Sequence, residues 1–293
     1  MDLRQLSYFL AVVDEGTFTA AAAAAAVAQP SLSQAVRSLE AELGVELFHR
    51  LARSVRLTAA GEALVDPARQ AIRDAETARA AVAAVAGLTA GRLDLAALPT
   101  LAAAPLAGLV GAFCRAHPGV GVGLVAPEEP ATLEHLVRAG ECEIGMTELR
   151  PDVGDLVQRP LLKQELLVVW PPGTSRADGR PVTLPALAAV PLVTTPPGTS
   201  TRRLLEEAFA GAGLAPRIAV EVTPRDAILP LVMAGAGASL VPRPLTLAAA
   251  DQGAIVTPVR PRVFRDIGLV HRVGPMSPAA RAFLAVIDAS EAA

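Results

Sequence analysis

Gln29-Pro-Ser-Leu-Ser-Gln-Ala-Val-Arg-Ser-Leu-Glu40, followed by Leu43-Gly-Val45 and by Phe48-His-Arg-Leu-Ala-Arg-Ser-Val-Arg-Leu-Thr58, reads as an amphipathic helix running into a basic hairpin. Leu32, Val36, Leu39 and Leu43 fall at i, i+4, i+7 and i+11, so they share one apolar stripe. Ser31, Ser33, Gln34, Arg37 and Ser38 occupy the opposite face. Their side chains are of the kinds that reach base edges and phosphates in a major groove. Gln29 is expected to precede the first turn, with Pro30 at the first helical position, where a missing N–H has no intrahelical partner to lose. Gly44 ends the helix.

Working outward, Leu3, Leu6, Phe9, Leu10 and Val13 repeat at helical spacing, and Gly16 stops that helix. Thr17-Phe18-Thr19 opens a second, which is expected to run through the alanines to Ala26. Only Val27-Ala28-Gln29 separates it from the third helix, a helix-turn-helix arrangement. Downstream, Leu47-Phe48 and Val55-Arg56-Leu57 pair as two short strands, and His49, Arg50, Arg53 and Arg56 meet no acidic residue between Leu47 and Thr58. Elsewhere in residues 1–60 acidic side chains are frequent. Phosphate-binding charge is therefore confined to one edge, and affinity for nucleic acid should depend on oriented docking and fall steeply with salt. A solvated face or a protein-interaction module has the same local pattern, and both stay open on pattern alone.

The residues Leu3-Arg-Gln-Leu6, Tyr8-Phe9, Gly16-Thr-Phe-Thr19, Ala21-Ala22, Gln29-Pro-Ser-Leu-Ser33, Leu39-Glu40, Leu43-Gly-Val45, Leu47-Phe48, Arg50, Arg53, Leu57-Thr58 and Ala60-Gly61 together resemble the LysR-type transcriptional regulators. The match is dense over about the first sixty residues, and the rest agrees in length and organisation. The resemblance implies an α/β protein with an N-terminal winged helix-turn-helix, a long dimerising linker helix and a C-terminal two-lobed α/β domain like the periplasmic solute-binding proteins. It implies that Gln29, Pro30, Ser31, Ser33, Gln34 and Arg37 face DNA, joined by Thr19 at the start of the second helix, with Arg50 and Arg53 near the backbone. The alanines at 20 and 23–26 depart from the family, which usually carries polar residues within this helix and a leucine near its end. Some core volume and some phosphate contacts are therefore expected to be missing.

From Ala59 to about Leu88 one long helix is expected, with Leu64, Ala68, Ala71, Ala75, Ala78, Val82 and Val85 in alternating steps of four and three. That is a heptad seam for a partner helix, with Arg69, Arg73, Asp74, Glu76 and Arg79 on the outer sides, and the alternative is an alanine-rich helix packed on its own domain. The hinge falls at Gly87 to Gly91. Beyond it, apolar strands at 93–98, 120–125 and 143–146 alternate with helices at 101–117 and 131–139, a pattern that predicts parallel α/β layers. After a crossover at 161–170 a second unit follows, with strands at 190–194, 218–222 and 238–241 and helices at 201–212 and 226–234. The chain returns through 259–272 and closes with a helix at 278–289. The expected division is a DNA-binding domain at 1–58, a linker helix at 59–88 and an effector domain at 91–293, with lobe I about 91–162 and 267–293 and lobe II about 163–266.

Ligands of such sheets sit beyond the carboxyl ends of strands, against helix N-termini. Thr100, Thr147, Gly198, Thr199, Ser200, Thr201 and Arg202 stand at those places and suit a small anionic metabolite. Ordinary helix capping explains several of them equally well.

Composition bounds the remainder. The 293 residues are 52% hydrophobic with a net charge of −3, so charge identifies no partner, and among the 26 basic residues Lys163 is the one lysine. No secretory leader is expected from the mixed polar start, nor an apolar run of the roughly twenty residues that cross a bilayer. A cytoplasmic protein without a membrane partner is expected. Cys114 and Cys142 lack metal-site spacing and are expected to be buried, reduced thiols, with a redox-sensing pair as the alternative. Isolated histidines and a Gly235-Ala-Gly237 that precedes a strand give no catalytic residue, no metal site and no cofactor. A solute-binding protein or an enzyme of two-lobed fold is the rival reading, opposed by residues 1–60. The function expected is a ligand-responsive regulator that binds double-stranded promoter or operator DNA, dimerises through its linker helix and forms a homotetramer, with RNA polymerase as a further partner.

Overall fold

The computed structural model describes residues 1–50, 55–85, 91–151, 153–174 and 180–291. Its first part contains α1 (Leu3–Glu15), α2 (Phe18–Ala24), α3 (Gln29–Leu43), the antiparallel pair β1 (Phe48–Arg50) and β2 (Val55–Leu57), and α4 (Ala59–Val85). Asp2 caps α1 in a reciprocal capping box with Gln5. Leu6, Phe9, Leu32, Val36, Leu39, Leu47 and Phe48 form one core, in which the Phe9 and Phe48 rings lie 5.4 Å apart. Leu43 departs from the expected stripe. It is 39% exposed, because Gly44 ends the helix before another element can cover it.

The alanine helix is shorter than expected. It ends at Ala24, and Ala26 takes a left-handed φ of 53° in the turn. Gln29 is the first residue inside α3, so Pro30 moves to the second position, and Ala28 caps the helix without a side-chain bond. Ala25 is half-buried against the core. Ala25→Leu should therefore raise the unfolding midpoint of the first domain by adding about 1–2 kcal/mol of apolar burial. An unchanged midpoint in a thermal melt would show that no volume is missing there.

Of the glycines held by close approach, two matter for how the domains meet. At Gly61 a Cβ would stand 2.2 Å from the Leu47 carbonyl oxygen, so only glycine lets α4 start against the wing. Thr58 completes that junction, its hydroxyl accepting from the Gly61 amide at 3.0 Å and donating to the Glu46 carbonyl at 2.7 Å. The second is Gly140, treated below.

The seam of α4 is divided. Ala68 is buried in the first domain's core with Leu64 and Ala71 packed beside it, whereas Ala78 and Val82 are exposed. Arg69 and Arg73 do not lie on an outer side as expected. Arg69 pairs with Asp14 of α1 at 2.6 Å and with Glu141 at 3.5 Å, and Arg73 donates to the Ala139 carbonyl at 3.1 Å. The hinge expected from Gly87 to Gly91 lies outside the described residues except for Gly91, as do the helix residues beyond Val85.

The second part runs β3 (Gly91–Ala97), α5 (Pro99–Leu101), a π-turn (Ala102–Leu106), α6 (Ala107–Ala116), β4 (Val120–Val125), α7 (Pro130–Arg138), β5 (Ile144–Glu148), β6 (Leu156–Trp170), β7 (Val182–Thr183), α8 (Leu184–Ala188), β8 (Leu192–Thr194), α9 (Ser200–Ala210), β9 (Ile218–Glu221), a 3₁₀ turn (Arg225–Ala227), α10 (Ile228–Met233), β10 (Ser239–Pro242), α11 (Arg243–Asp251), β11 (Ile255–Arg272) and α12 (Pro278–Glu291). The sheet is mixed, which corrects the all-parallel expectation. In the order β10-β6-β11-β5-β3-β4, β3 is parallel to β4 and β5, while β6, β10 and β11 pair antiparallel. The expected crossover is itself a strand of 15 residues, and with the 18-residue β11 it forms a ribbon that passes through both lobes. Alternation along β6 sends Leu166, Val168 and Trp170 into one core of the second lobe and Val169 into another with Val193, Ile228 and Val241. The first lobe has its own core of Leu93, Leu95, Phe113, Leu133, Ile144 and Phe283. β7, α8 and α11 were not anticipated.

The helix expected over 101–117 is interrupted, since Ala104 is extended at φ −159°, ψ 125°. Pro99–Ala116 spans 18 residues and is the one described stretch apolar enough to match a membrane span, yet this break removes its continuity.

Candidate nucleic-acid interface and effector cleft

On α3, Gln29, Pro30, Ser31, Gln34, Arg37 and Ser38 are exposed. Ser33 is not among them. It is 4% exposed and its hydroxyl accepts from Arg37 Nη2 at 3.1 Å, while Arg37 Nε donates to the Ser33 carbonyl at 3.3 Å. Ser33 sits next to Leu32 on the inward edge of the stripe, so its role is to orient the Arg37 guanidinium. Thr19 is exposed at the start of α2, where Thr17 caps the helix through the Ala20 amide at 3.1 Å.

Beside α3, the wing pairs His49 with Arg56, both on its exposed face. The Val55 amide donates to the Gly16 carbonyl at 3.3 Å, and Glu40 of α3 accepts from the Leu47 amide at 2.9 Å, so wing and helix share one frame. Arg50 contributes its backbone to β1. Its side chain, and the whole of Arg53, lie outside the described residues.

Between the lobes of the second part lies a cleft of about 490 Å³. Of the expected effector residues, Thr100 and Thr201 reach its walls, with Pro99, Ile228, Leu229 and Val241 supplying apolar surface and Glu128, Asp226 and Arg225 the charge. Arg225 donates to the Thr201 hydroxyl and ion-pairs across the cleft with Glu128. Thr147 and Ser200 are fully buried, and their hydroxyls, like that of Thr194, have no hydrogen-bond partner among the described residues. Thr199 is instead a local turn residue, its hydroxyl 2.5 Å from that of Thr195 and donating to the Pro196 carbonyl at 2.8 Å. Gly198 has a φ of 90° and faces Glu129. Arg202 is turned away, paired with Glu206 at 2.7 Å and with Glu221 at 3.0 Å.

The strongest electrostatic feature was not anticipated. Arg265 of β11 has a side chain only 1% exposed and donates to Gln164 at 2.8 Å, Glu148 at 3.0 Å and Thr100 at 2.8 Å. Burial pulls its pKa down, and the Glu148 carboxylate acts against that. Arg203 of α9 takes the other Glu148 oxygen. Nothing in the sequence sets Arg265 apart from Arg260, Arg262 and Arg272 of the same strand, and its partners come from α5, β5 and β6.

The cysteines differ from the expected pair of buried thiols. Cys114 is exposed and Cys142 buried, and burial pushes the Cys142 thiol up to about 11, so it stays protonated at neutral pH. Among the described residues no cluster of histidine, cysteine and acidic groups could hold a metal ion.

Comparison with known proteins gives two family matches, "Bacterial regulatory helix-turn-helix protein, lysR family" over residues 3–62 and "LysR substrate binding domain" over 86–291. The chain is 32% identical to the HTH-type transcriptional regulator TfdS of Cupriavidus pinatubonensis, covering 98% of this chain and 97% of that one. It is 33% identical to the nitrogen assimilation regulatory protein nac of Klebsiella aerogenes, over 83% of this chain and 78% of that one. Similar solved structures include a full-length OxyR variant from Pseudomonas aeruginosa, with TM-score 0.76, 26% identity and coverage of 98% and 94%. They also include full-length CbnR complexed with its target DNA, with TM-score 0.68, 28% identity and coverage of 99% and 100%.

Proposed function

This chain belongs to the LysR family of transcriptional regulators, and on that premise we propose which of its residues read DNA and what its cleft senses. It is a ligand-responsive DNA-binding regulator and not an enzyme. The exposed ridge of Gln29, Pro30, Ser31, Gln34 and Arg37 enters the major groove, with Thr19 and the wing's Arg50, Arg53 and Arg56 on phosphates. The observation that carries this reading is the exposure of that ridge in a frame shared with a basic hairpin. The exposed Ala78 and Val82 of α4 continue a seam for a second copy, and two such dimers bind a partly palindromic operator. Action on chromosomal DNA makes the protein cytoplasmic.

The division at 1–58, 59–88 and 91–293 is supported by the start of α4 at Ala59, while the family matches end and begin inside the linker segment, at 62 and 86. A lobe boundary near 162 and 267 is supported by the separate cores, Ile267 packing in the first lobe and Val263 against the second.

The effector is a small carboxylate with an apolar body. Apolar walls, Arg225 and buried hydroxyls support that chemistry. Arg225 holds Glu128 through Nη2, so a ligand carboxylate that competes for that nitrogen displaces Glu128, and the differential contact shifts lobe closure. Footprinting of the protein's own upstream region at stepped salt, repeated with candidate carboxylates, tests this. Thr100→Val and Ser200→Ala should each remove the change in footprint on adding the active carboxylate and leave operator affinity within about twofold, because both residues belong to the effector domain and not to α3 or the wing. Unchanged responses in both would remove the cleft assignment.

A further inference from the structure

α7 has one end at the cleft and the other against the linker helix. Its nine residues, about 13 Å of helix, begin directly after Glu128 and Glu129. Glu128 reaches across the cleft to Arg225. At the far end Arg73 of α4 donates to the Ala139 carbonyl at 3.1 Å, and Arg272 donates to the carbonyls of Val137 and Cys142. Guanidiniums there satisfy helix-end carbonyls and the negative end of the helix dipole.

Gly140 makes the room. Its φ is 73°, and a Cβ would stand 2.6 Å from Arg73 Nε and 2.9 Å from Arg272 Nη1. One residue on, Glu141 pairs with Arg69, whose other nitrogen bonds Asp14 of α1 in the DNA-binding domain. Between the two ends, Leu133 and Val137 are fully buried and Glu134 is 5% exposed, so α7 moves with the packing around it as one stiff piece and a displacement at one end reaches the other.

We propose that α7 couples the cleft to the linker helix: the Glu128–Arg225 ion pair holds it in one position, and Arg73 and Arg69 transmit that position to α4 and α1. This rests on the reading of the cleft as the effector site. A carboxylate that takes Arg225 from Glu128 releases the first end of α7. The cap at the second end then reorients α4.

Amide hydrogen exchange of the full-length protein, without DNA or ligand, tests the coupling. Glu128→Gln, and separately Arg225→Gln, should speed exchange across residues 66–79 by about two- to thirtyfold, the range typical of such couplings. In an Arg73→Gln background the same substitutions should add nothing there. Exchange over 66–79 that stays at the parent rate in both single variants overturns the proposal, as does an equal increment in the Arg73→Gln background. Because no ligand enters this experiment, its outcome is separate from failure of the cleft reading, which the carboxylate footprints report.

Discussion

Replacing Gln34 and Arg37 together by alanine should lower affinity for the protein's own promoter at least about thirtyfold while leaving the fold intact. Both side chains are exposed on one face of α3, and Arg37 is already steered by Ser33. A side chain paired with a base edge discriminates by about 1–3 kcal/mol, so two of them lose at least about 2 kcal/mol. Alanine is a strong helix former, and Ser33, freed from Arg37, can bond back to a carbonyl in the preceding turn, so α3 itself persists. Retention on competitor DNA should fall far less, because most non-specific affinity comes from phosphates. Arg56→Gln should do the reverse, weakening binding to every fragment and reducing the salt slope by about 1. Gel retardation on promoter and scrambled fragments at several salt concentrations separates the two. Equal losses on both fragments for the α3 variant would mean that α3 does not read sequence.

Arg265→Met should cost about 3–5 kcal/mol of unfolding free energy in the C-terminal domain. The substitution leaves Glu148, whose side chain is 3% exposed, with Arg203 as its remaining cation, and leaves Gln164 and Thr100 without the donor that joins them. Removing one member of a buried pair is costly because the other stays charged and desolvated. Arg265→Met with Glu148→Gln should therefore recover the larger part of the loss. Denaturant titration followed by the fluorescence of Trp170, which lies on β6 of the same ribbon, reads both variants. If the single variant costs under about 1 kcal/mol, Arg265 is not the fastener of the cleft's base.

How much could be read beforehand differs between the two halves. In the first domain periodicity, Gly16, Gly44 and the arginines of the hairpin act locally, so helices, wing and exposed ridge were all legible. The errors there are errors of a single residue or turn. Ser33 faces inward because the stripe is wider than the leucine spacing alone implies, and Leu43 has no element to cover it. In the second domain the strand and helix alternation was legible, but pairing direction was not. An apolar run such as 161–170 looks the same in a parallel or an antiparallel ladder. Arg202 was expected at the cleft because it follows a Ser/Thr-rich turn, yet helix geometry turns it toward Glu206 one turn on. Arg265, Arg225 and Glu128 lay beyond sequence reasoning because their partners stand far away along the chain, at separations of up to 165 residues in the Arg265–Thr100 bond. The same holds for Arg69 and Arg73, whose contacts cross from one domain to the next.

The account rests on α3 and its wing acting as a symmetric pair on DNA, and nuclease footprinting of the protein's own upstream region at low salt tests that most directly. The prediction is paired protected half-sites whose centres lie a whole number of helical turns apart, about 10–10.5 base pairs or a multiple, both lost together in Gln34→Ala/Arg37→Ala. A region left unprotected at low ionic strength, or a footprint that the double substitution leaves in place, would contradict it.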